Sequence, residues 1–250
     1  MKELNRKTPI RRGAGRRKDR GFTLVELLLV LVILALIGGL VLPGIIGKAE
    51  GAKVRMVYSA ADALSLAQEN PDQRVIFFAI GFETTTPPTA VVIQQAERLG
   101  LDNFFVFCNH ILTPPAMRAI LDVPNEDENN IGGIIGPAHV STVIGTRPYE
   151  FVATEYHRPV VIAGFEPLDI LQAILMLISQ INEGRAEIEN EYSRAVTATG
   201  NRKAQSIVAE VFELRDSFEW RGLGHIRQSG LKLRERYARF DIERQQPLPC

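Results

Sequence analysis

Residues 74–100 read RVIFFAIGFETTTPPTAVVIQQAERLG, and this stretch decides the fold. Residues 74–81 are apolar on both faces, which predicts a fully buried strand. Residues 87–100 form a helix-length segment with Pro at its start and Gly at its end, the ordinary helix boundaries. Further apolar runs follow outward from this unit: 103–108, 131–136 and 159–164 as strands, and 54–58 as an earlier one. Helical segments lie at 59–70, 114–122, 147–156 and 166–181. Strand starts near 54, 75, 103, 131 and 159 have the spacing of βα units. The expected fold class is therefore α/β, with parallel sheet layers carrying helices on both faces.

Composition agrees. The chain has 250 residues, 46% hydrophobic and 23% charged, an ordinary globular balance that excludes disordered and low-complexity classes. Two cysteines cannot build a disulfide framework, a four-cysteine zinc site or a four-cysteine iron–sulfur site, so no metal site is expected. The zero net charge hides an asymmetry. Residues 1–21 hold nine Lys/Arg against two Asp/Glu, and the remainder holds 20 against 27. The body has no basic surplus to attract nucleic acid, and none is expected as a partner.

Residues 22–47 precede the body as FTLVELLLVLVILALIGGLVLPGIIG, a long apolar helix of membrane type. After Glu26 come 21 uncharged residues, about the thickness of a bilayer core at 1.5 Å per residue. The basic tail would stay inside and the body would face outward. A carboxylate such as Glu26 within an apolar span is costly and marks function. The stretch RGFTLVELLLVLVILALIGGLVLP resembles the leader of type IV pilins, and most closely that of type II secretion pseudopilins. The resemblance implies cleavage after Gly21, methylation of Phe22, and pairing of Glu26 with a neighbouring subunit's N-terminal amine.

Polar residues gather where the predicted strands end and helices begin, the edge at which open α/β sheets bind ligands. Glu83, Thr84, Thr85, Cys108, Asn109, His110, His139, Glu166 and Asp169 are expected to line one crevice there. Some of these residues also suit helix capping, the threonines and Asp169 above all. No GxGxxG, phosphate-loop or GxSxG signature accompanies them. A Cys108–His110 nucleophile pair would make the crevice an enzyme site, but no third orienting group is evident.

The body carries further motifs in series: FCNHILTPPAM, GPAHVSTVIGTRPYEF, PVVIAGFEPLDILQAI, GNRKAQ, VFELRDSFEWRGLG and SGLKLRERYARFDIE. Together with the 55–90 region they resemble the HypD family of nickel–iron hydrogenase maturation factors, over about residues 55–243. The resemblance implies α/β subdomains around a cleft and work with HypC-type and HypE-type proteins. Their joint product is the Fe(CN)2CO group of the hydrogenase. It also implies a C-terminal 4Fe-4S cluster and N-terminal CGTH-type and GPGCPVC-type cysteine motifs. This sequence contains neither set, so no cofactor is expected in the chain.

The expected organisation is a basic leader (1–21), an apolar helix (22–47), a junction (48–54), the HypD-like body (55–245) and a truncated tail (246–250). The expected function is that of an incomplete HypD-like maturation protein, a scaffold rather than an independent enzyme. The alternatives are a pseudopilin-type structural subunit or a chimeric chain with no intact function. The two addresses conflict. The body's resemblance implies the cytoplasm, and the leader implies the inner membrane with the body outside.

Overall fold

A computed structural model of the chain describes residues 53–122 and 131–245. The expectations for residues 1–52, including the leader, Gly21, Phe22, Glu26 and the apolar helix, lie outside the described residues, as does the tail at 246–250. The described residues from Val57 onward form one compact unit.

The stretch 54–58, expected as a strand, carries no regular structure. Its apolar pattern finds no neighbouring strand to pair with, and the next residues start a helix instead. Ser59 and Asp62 form a capping box: Asp62 N–H donates to Ser59 Oγ at 3.2 Å and Ser59 N–H to Asp62 Oδ2 at 2.9 Å. Helix α1 (Ala60–Glu69) then buries Ala60, Ala63, Leu64 and Ala67.

The deciding stretch forms the expected strand and helix, but the strand is not fully buried. Strand β1 (Val75–Gly81) leads into α2 (Thr86–Arg98), with Pro in its first turn. Strand β2 (Phe104–His110) pairs with β1 in parallel, from Val75 opposite Phe104 to Gly81 opposite His110. Asn103, just before β2, gathers the carbonyls of Ala67, Asn70 and Gln73 with its side-chain amide, at 2.8–3.0 Å. That one amide fixes the end of α1 to the start of the sheet.

After α3 (Thr113–Leu121) the chain builds a second parallel sheet from β3 (Ile134–Pro137), β4 (Val160–Ala163) and β5 (Ile188–Asn190), in the order β3–β4–β5. Helix α4 (Ala138–Ile144), a 3-10 turn (Arg147–Tyr149) and α5 (Glu150–Thr154) connect β3 to β4. Helix α6 (Pro167–Glu183) connects β4 to β5. Every residue of the central strand β4 is buried. Helix α7 (Arg202–Val211) runs into two antiparallel pairs: β6 (Phe212–Leu214) with β9 (Leu231–Leu233), and β7 (Ser217–Trp220) with β8 (Gly224–Arg227). A second 3-10 turn (Glu235–Phe240) and α8 (Ile242–Gln245) end the described chain.

The class is α/β with parallel sheets and helices, but two features differ from the expectation. The four longer parallel strands divide between two sheets, because a βα rhythm sets strand spacing and not strand partners. No described element covers one side of the first sheet: Ile76, Phe78 and Ile80 alternate along β1 and are exposed, with Phe78 stacked on Phe107 at 5.0 Å. Its other side packs on α1, α2 and the C-terminal elements in the largest core cluster.

Candidate functional site

The division of strands divides the predicted crevice. At the carboxyl edge of the first sheet, Glu83, Thr85 and His110 come together. Glu83 is buried, and its carboxylate accepts from Thr113 N–H at 2.8 Å and Thr113 Oγ1–H at 2.9 Å, which caps the start of α3 from outside the helix. Burial raises its pKa above the usual carboxylate range, and the bonds to backbone and Thr113 pull the other way.

His110 ends β2, with Nδ1 3.3 Å from Thr85 Oγ1 and Nε2 3.2 Å from Thr89 Oγ1. Each hydroxyl also reaches a backbone carbonyl: Thr85 that of Phe82 and Thr89 that of Thr85, both at 2.9 Å. A neutral ring supplies one N–H, so one of the two hydroxyls turns its proton to the other ring nitrogen. Burial holds the ring neutral and lowers its pKa to about 4.

Cys108 lies two residues before His110 on the same strand. Its Sγ–H donates to Leu231 carbonyl at 3.3 Å, and burial pushes the thiol up to about 11. Burial thus keeps the thiol protonated, which does not favour its action as a nucleophile beside His110. Thr84 and Asn109 are half-buried on the same edge.

The other three predicted residues belong to the second sheet. His139, in the first turn of α4, stacks on Phe165 at 4.6 Å. Asp169 in α6 pairs with Arg194 at 2.6 Å, and Glu166 reaches the same guanidinium at 3.3 Å. Arg194 holds the Asp169 carboxyl below its usual range. Gly164 stands so close that a Cβ there would lie 2.0 Å from Asp169 Oδ2, so the turn after β4 is built around this pair.

A cavity of about 400 Å³ among the described residues opens beside Glu83, the only predicted residue that lines it. Its apolar walls are Val143 and Ile144 of α4, Val208 of α7, Phe212 and Leu214 of β6, and Leu231 of β9. Gln205 and Arg234 supply polar rim groups, but both are engaged. Gln205 Nε2–H donates to Val143 and Thr199 carbonyls, each at 2.7 Å. Arg234 Nε–H donates to Ala209 carbonyl at 2.7 Å. The mostly apolar wall suits binding of an apolar group, with Glu83, Glu213 and Arg234 as its charged members.

The wall rests on a crossing of two glycine loops that sequence reasoning did not assign a role. A Cβ on Gly145 would lie 2.4 Å from Ala198 carbonyl oxygen, and one on Gly200 would lie 2.3 Å from that of Val143. Both glycines have positive φ, 82° and 64°. The motifs IGTRPY and TGNRKAQ carry these glycines, and only glycine allows backbones this close. Arg215 is the other residue missed. It donates to the carbonyls of Leu231 at 2.9 Å and Cys108 at 3.1 Å and pairs with Glu243, tying β2, β9 and α8 together.

With this geometry in place, comparison with known proteins identifies the class. A family model described as HypD, hydrogenase formation hypA family, matches residues 45–249. A prokaryotic N-terminal methylation motif matches residues 16–42. The chain is 63% identical over 199 residues to a hydrogenase expression/formation protein HupD of Azotobacter chroococcum, with 79% of this chain and 52% of that protein covered. It is 59% identical to a hydrogenase maturation factor HypD of Cupriavidus necator (81% and 55% covered) and 50% identical to one of Escherichia coli (78% and 52%). The chain belongs to the HypD family, and it spans about half the length of the curated relatives it matches.

The iron–sulfur cluster implied by the family does not fit the described residues. Cys108 is the one described cysteine, and its buried, strongly protonated thiol bonds a backbone carbonyl. Among the described residues no group of three or more His, Cys, Asp or Glu is placed to hold a metal.

Proposed function

We propose that this chain acts in nickel–iron hydrogenase maturation as a partner-binding HypD-type scaffold rather than as a complete maturation catalyst. The observation that carries this reading is the largely apolar cleft beside Glu83, walled by motifs within the HypD-matching residues. In this reading the cleft receives an apolar segment of a HypC-type protein, and a HypE-type protein joins the assembly. The iron group Fe(CN)2CO is cargo of that assembly, and soft thiolate ligands suit it.

The test is expression of the full chain in a host lacking its own HypD. The expected result is no active hydrogenase, with sub-stoichiometric iron in the chain purified anaerobically. Restored hydrogenase, or one cluster's worth of iron per chain, would overturn the scaffold reading.

The methylation motif at residues 16–42 favours a second reading for the N-terminal part alone. Gly21, Phe22 and Glu26 stand where a pilin-type leader is processed, and residues 22–47 would place the chain in the inner membrane. Among the described residues no helix is long and apolar enough to cross a membrane. Co-expression with a prepilin peptidase should yield a product whose N-terminal residue is a methylated Phe22, read by mass spectrometry. An uncut chain would remove this reading. Maturation belongs with cytoplasmic partners, whereas the leader would place the body outside, so the two readings are alternative fates of the chain.

A further inference from the structure

Helix α6 carries its stronger apolar stripe on the outside. The side it turns to the second sheet is Asp169, Ala173, Leu177 and Gln180, half of it polar. The side it turns outward is Leu168, Leu171, Ile174, Leu175, Ile178 and Ile181, all exposed; Leu168 is 78% exposed, Leu171 63% and Leu175 61%. A helix that covered a sheet and then met only water would show the reverse. Leu168, Leu171, Leu175 and Ile178 follow the alternating three- and four-residue spacing of a helix-pairing seam, with Ile174 and Ile181 beside it.

We infer that this face is an interface between two copies of the chain, with their α6 helices packed antiparallel across a two-fold axis. Three observations select a second copy as the occupant. The first is that the stripe reads the same in both directions. About a centre between Ile174 and Leu175, Leu168 of one copy opposes Ile181 of the other, Leu171 opposes Ile178, and Ile174 opposes Leu175. Each level of that register is then apolar on both helices, which is the self-complementarity an isologous contact requires.

The second is charge. Gln172 and Ser179 flank the seam and are neutral. The charged groups at its two ends are already paired within each copy, Glu166 with Arg194 at 3.3 Å and Glu183 with Arg185 at 2.6 Å. Two copies can therefore meet without facing bare like charges, and the antiparallel arrangement sets each helix N-terminus beside the other's C-terminus, as the dipoles prefer.

The third is area. The exposed fractions leave on the order of 600 Å² of apolar surface on each copy, about 1,200 Å² for the pair, which reaches the lower bound of specific, stable interfaces. Phe165, exposed next to the start of α6 and stacked on His139, extends the patch.

The experiment is position-specific disulfide trapping in the full chain, in mild detergent, with Cys250→Ser as background and Cys108 already buried. Leu175→Cys lies next to the two-fold axis and should give a disulfide-linked dimer on mild oxidation. Leu168→Cys is more exposed, but its mate lies at the far end of the other helix, so it should stay monomeric. A mixture of Leu171→Cys and Ile178→Cys chains should give the mixed dimer several-fold above either self-dimer. Equal trapping at 168 and 175 would mean random or parallel association and would overturn the proposal. So would a monomeric Leu175→Cys with unchanged helical circular dichroism. If that monomer were also shielded from maleimide, another occupant, such as residues 22–47 of the same chain or the remainder of a HypD-type fold, would cover the face.

Discussion

His110 shows how much of this site is governed by burial. Its ring sits between two threonine hydroxyls and carries no charge partner, so desolvation sets its titration. The unfolded ring takes a proton near its ordinary pKa of about 6.5, and the folded ring only near 4. Between those values the unfolded chain binds the proton and the folded chain does not. Stability is therefore full above about pH 6.5 and is lost as pH falls toward 4, by up to roughly 3 kcal/mol for this site. Glu83 acts with the opposite sign: its raised pKa gives stability that is lost as pH rises through the folded value. Comparison with His110→Asn isolates the histidine. Urea midpoints of the parent should fall more steeply than those of His110→Asn between about pH 6.5 and 4.5, and parallel curves would contradict the assignment.

At the scale of elements, the crossing of the Gly145 and Gly200 loops positions α4 against α7 and so shapes the cleft. Gly222, in the turn between β7 and β8, has a similar positive φ of 84° but open space around it. Gly145 differs in two ways: its ψ of −174° lies in a region essentially reserved for glycine, and its Cβ would collide with backbone. Gly222→Ala should cost only the left-handed strain, about 1 kcal/mol. Gly145→Ala adds a clash with Ala198 carbonyl oxygen that no side-chain rotation relieves, and should cost roughly 2 kcal/mol or more beyond that. Thermal unfolding of the two variants measures the difference, and equal shifts would mean that the loops separate easily.

The same elements show what was readable beforehand. Residues 75–81 and 160–163 announced themselves as long apolar runs with helix signals behind them. Residues 54–58 looked alike but had no partner strand, and the capping box at Ser59 took the next residues into a helix. Strands β5, β6 and β9 are three residues each, too short for any alternation to register. The site followed the same logic. Glu83, Thr85 and His110 were found because they end strands of one sheet. His139, Glu166 and Asp169 were grouped with them only because rhythm cannot tell one sheet from two. Gln205, Gly145 and Gly200 act through carbonyl contacts and close backbone approach, for which no spacing rule exists.

For the whole molecule, the body keeps a formed cleft and a well-packed core with one buried cysteine among the described residues, and it follows a segment matching an N-terminal methylation motif. The scaffold account requires that recognition survive where iron chemistry does not. The most direct measurement is the affinity of the full chain for a HypC-type protein by titration calorimetry, alongside Leu214→Glu. Leu214 is half-exposed at the cleft wall, so a carboxylate there disturbs the apolar surface and little of the core. The account predicts saturable binding that Leu214→Glu weakens at least about tenfold, the equivalent of 1.4 kcal/mol. No binding by a folded chain, or binding untouched by Leu214→Glu, would contradict it.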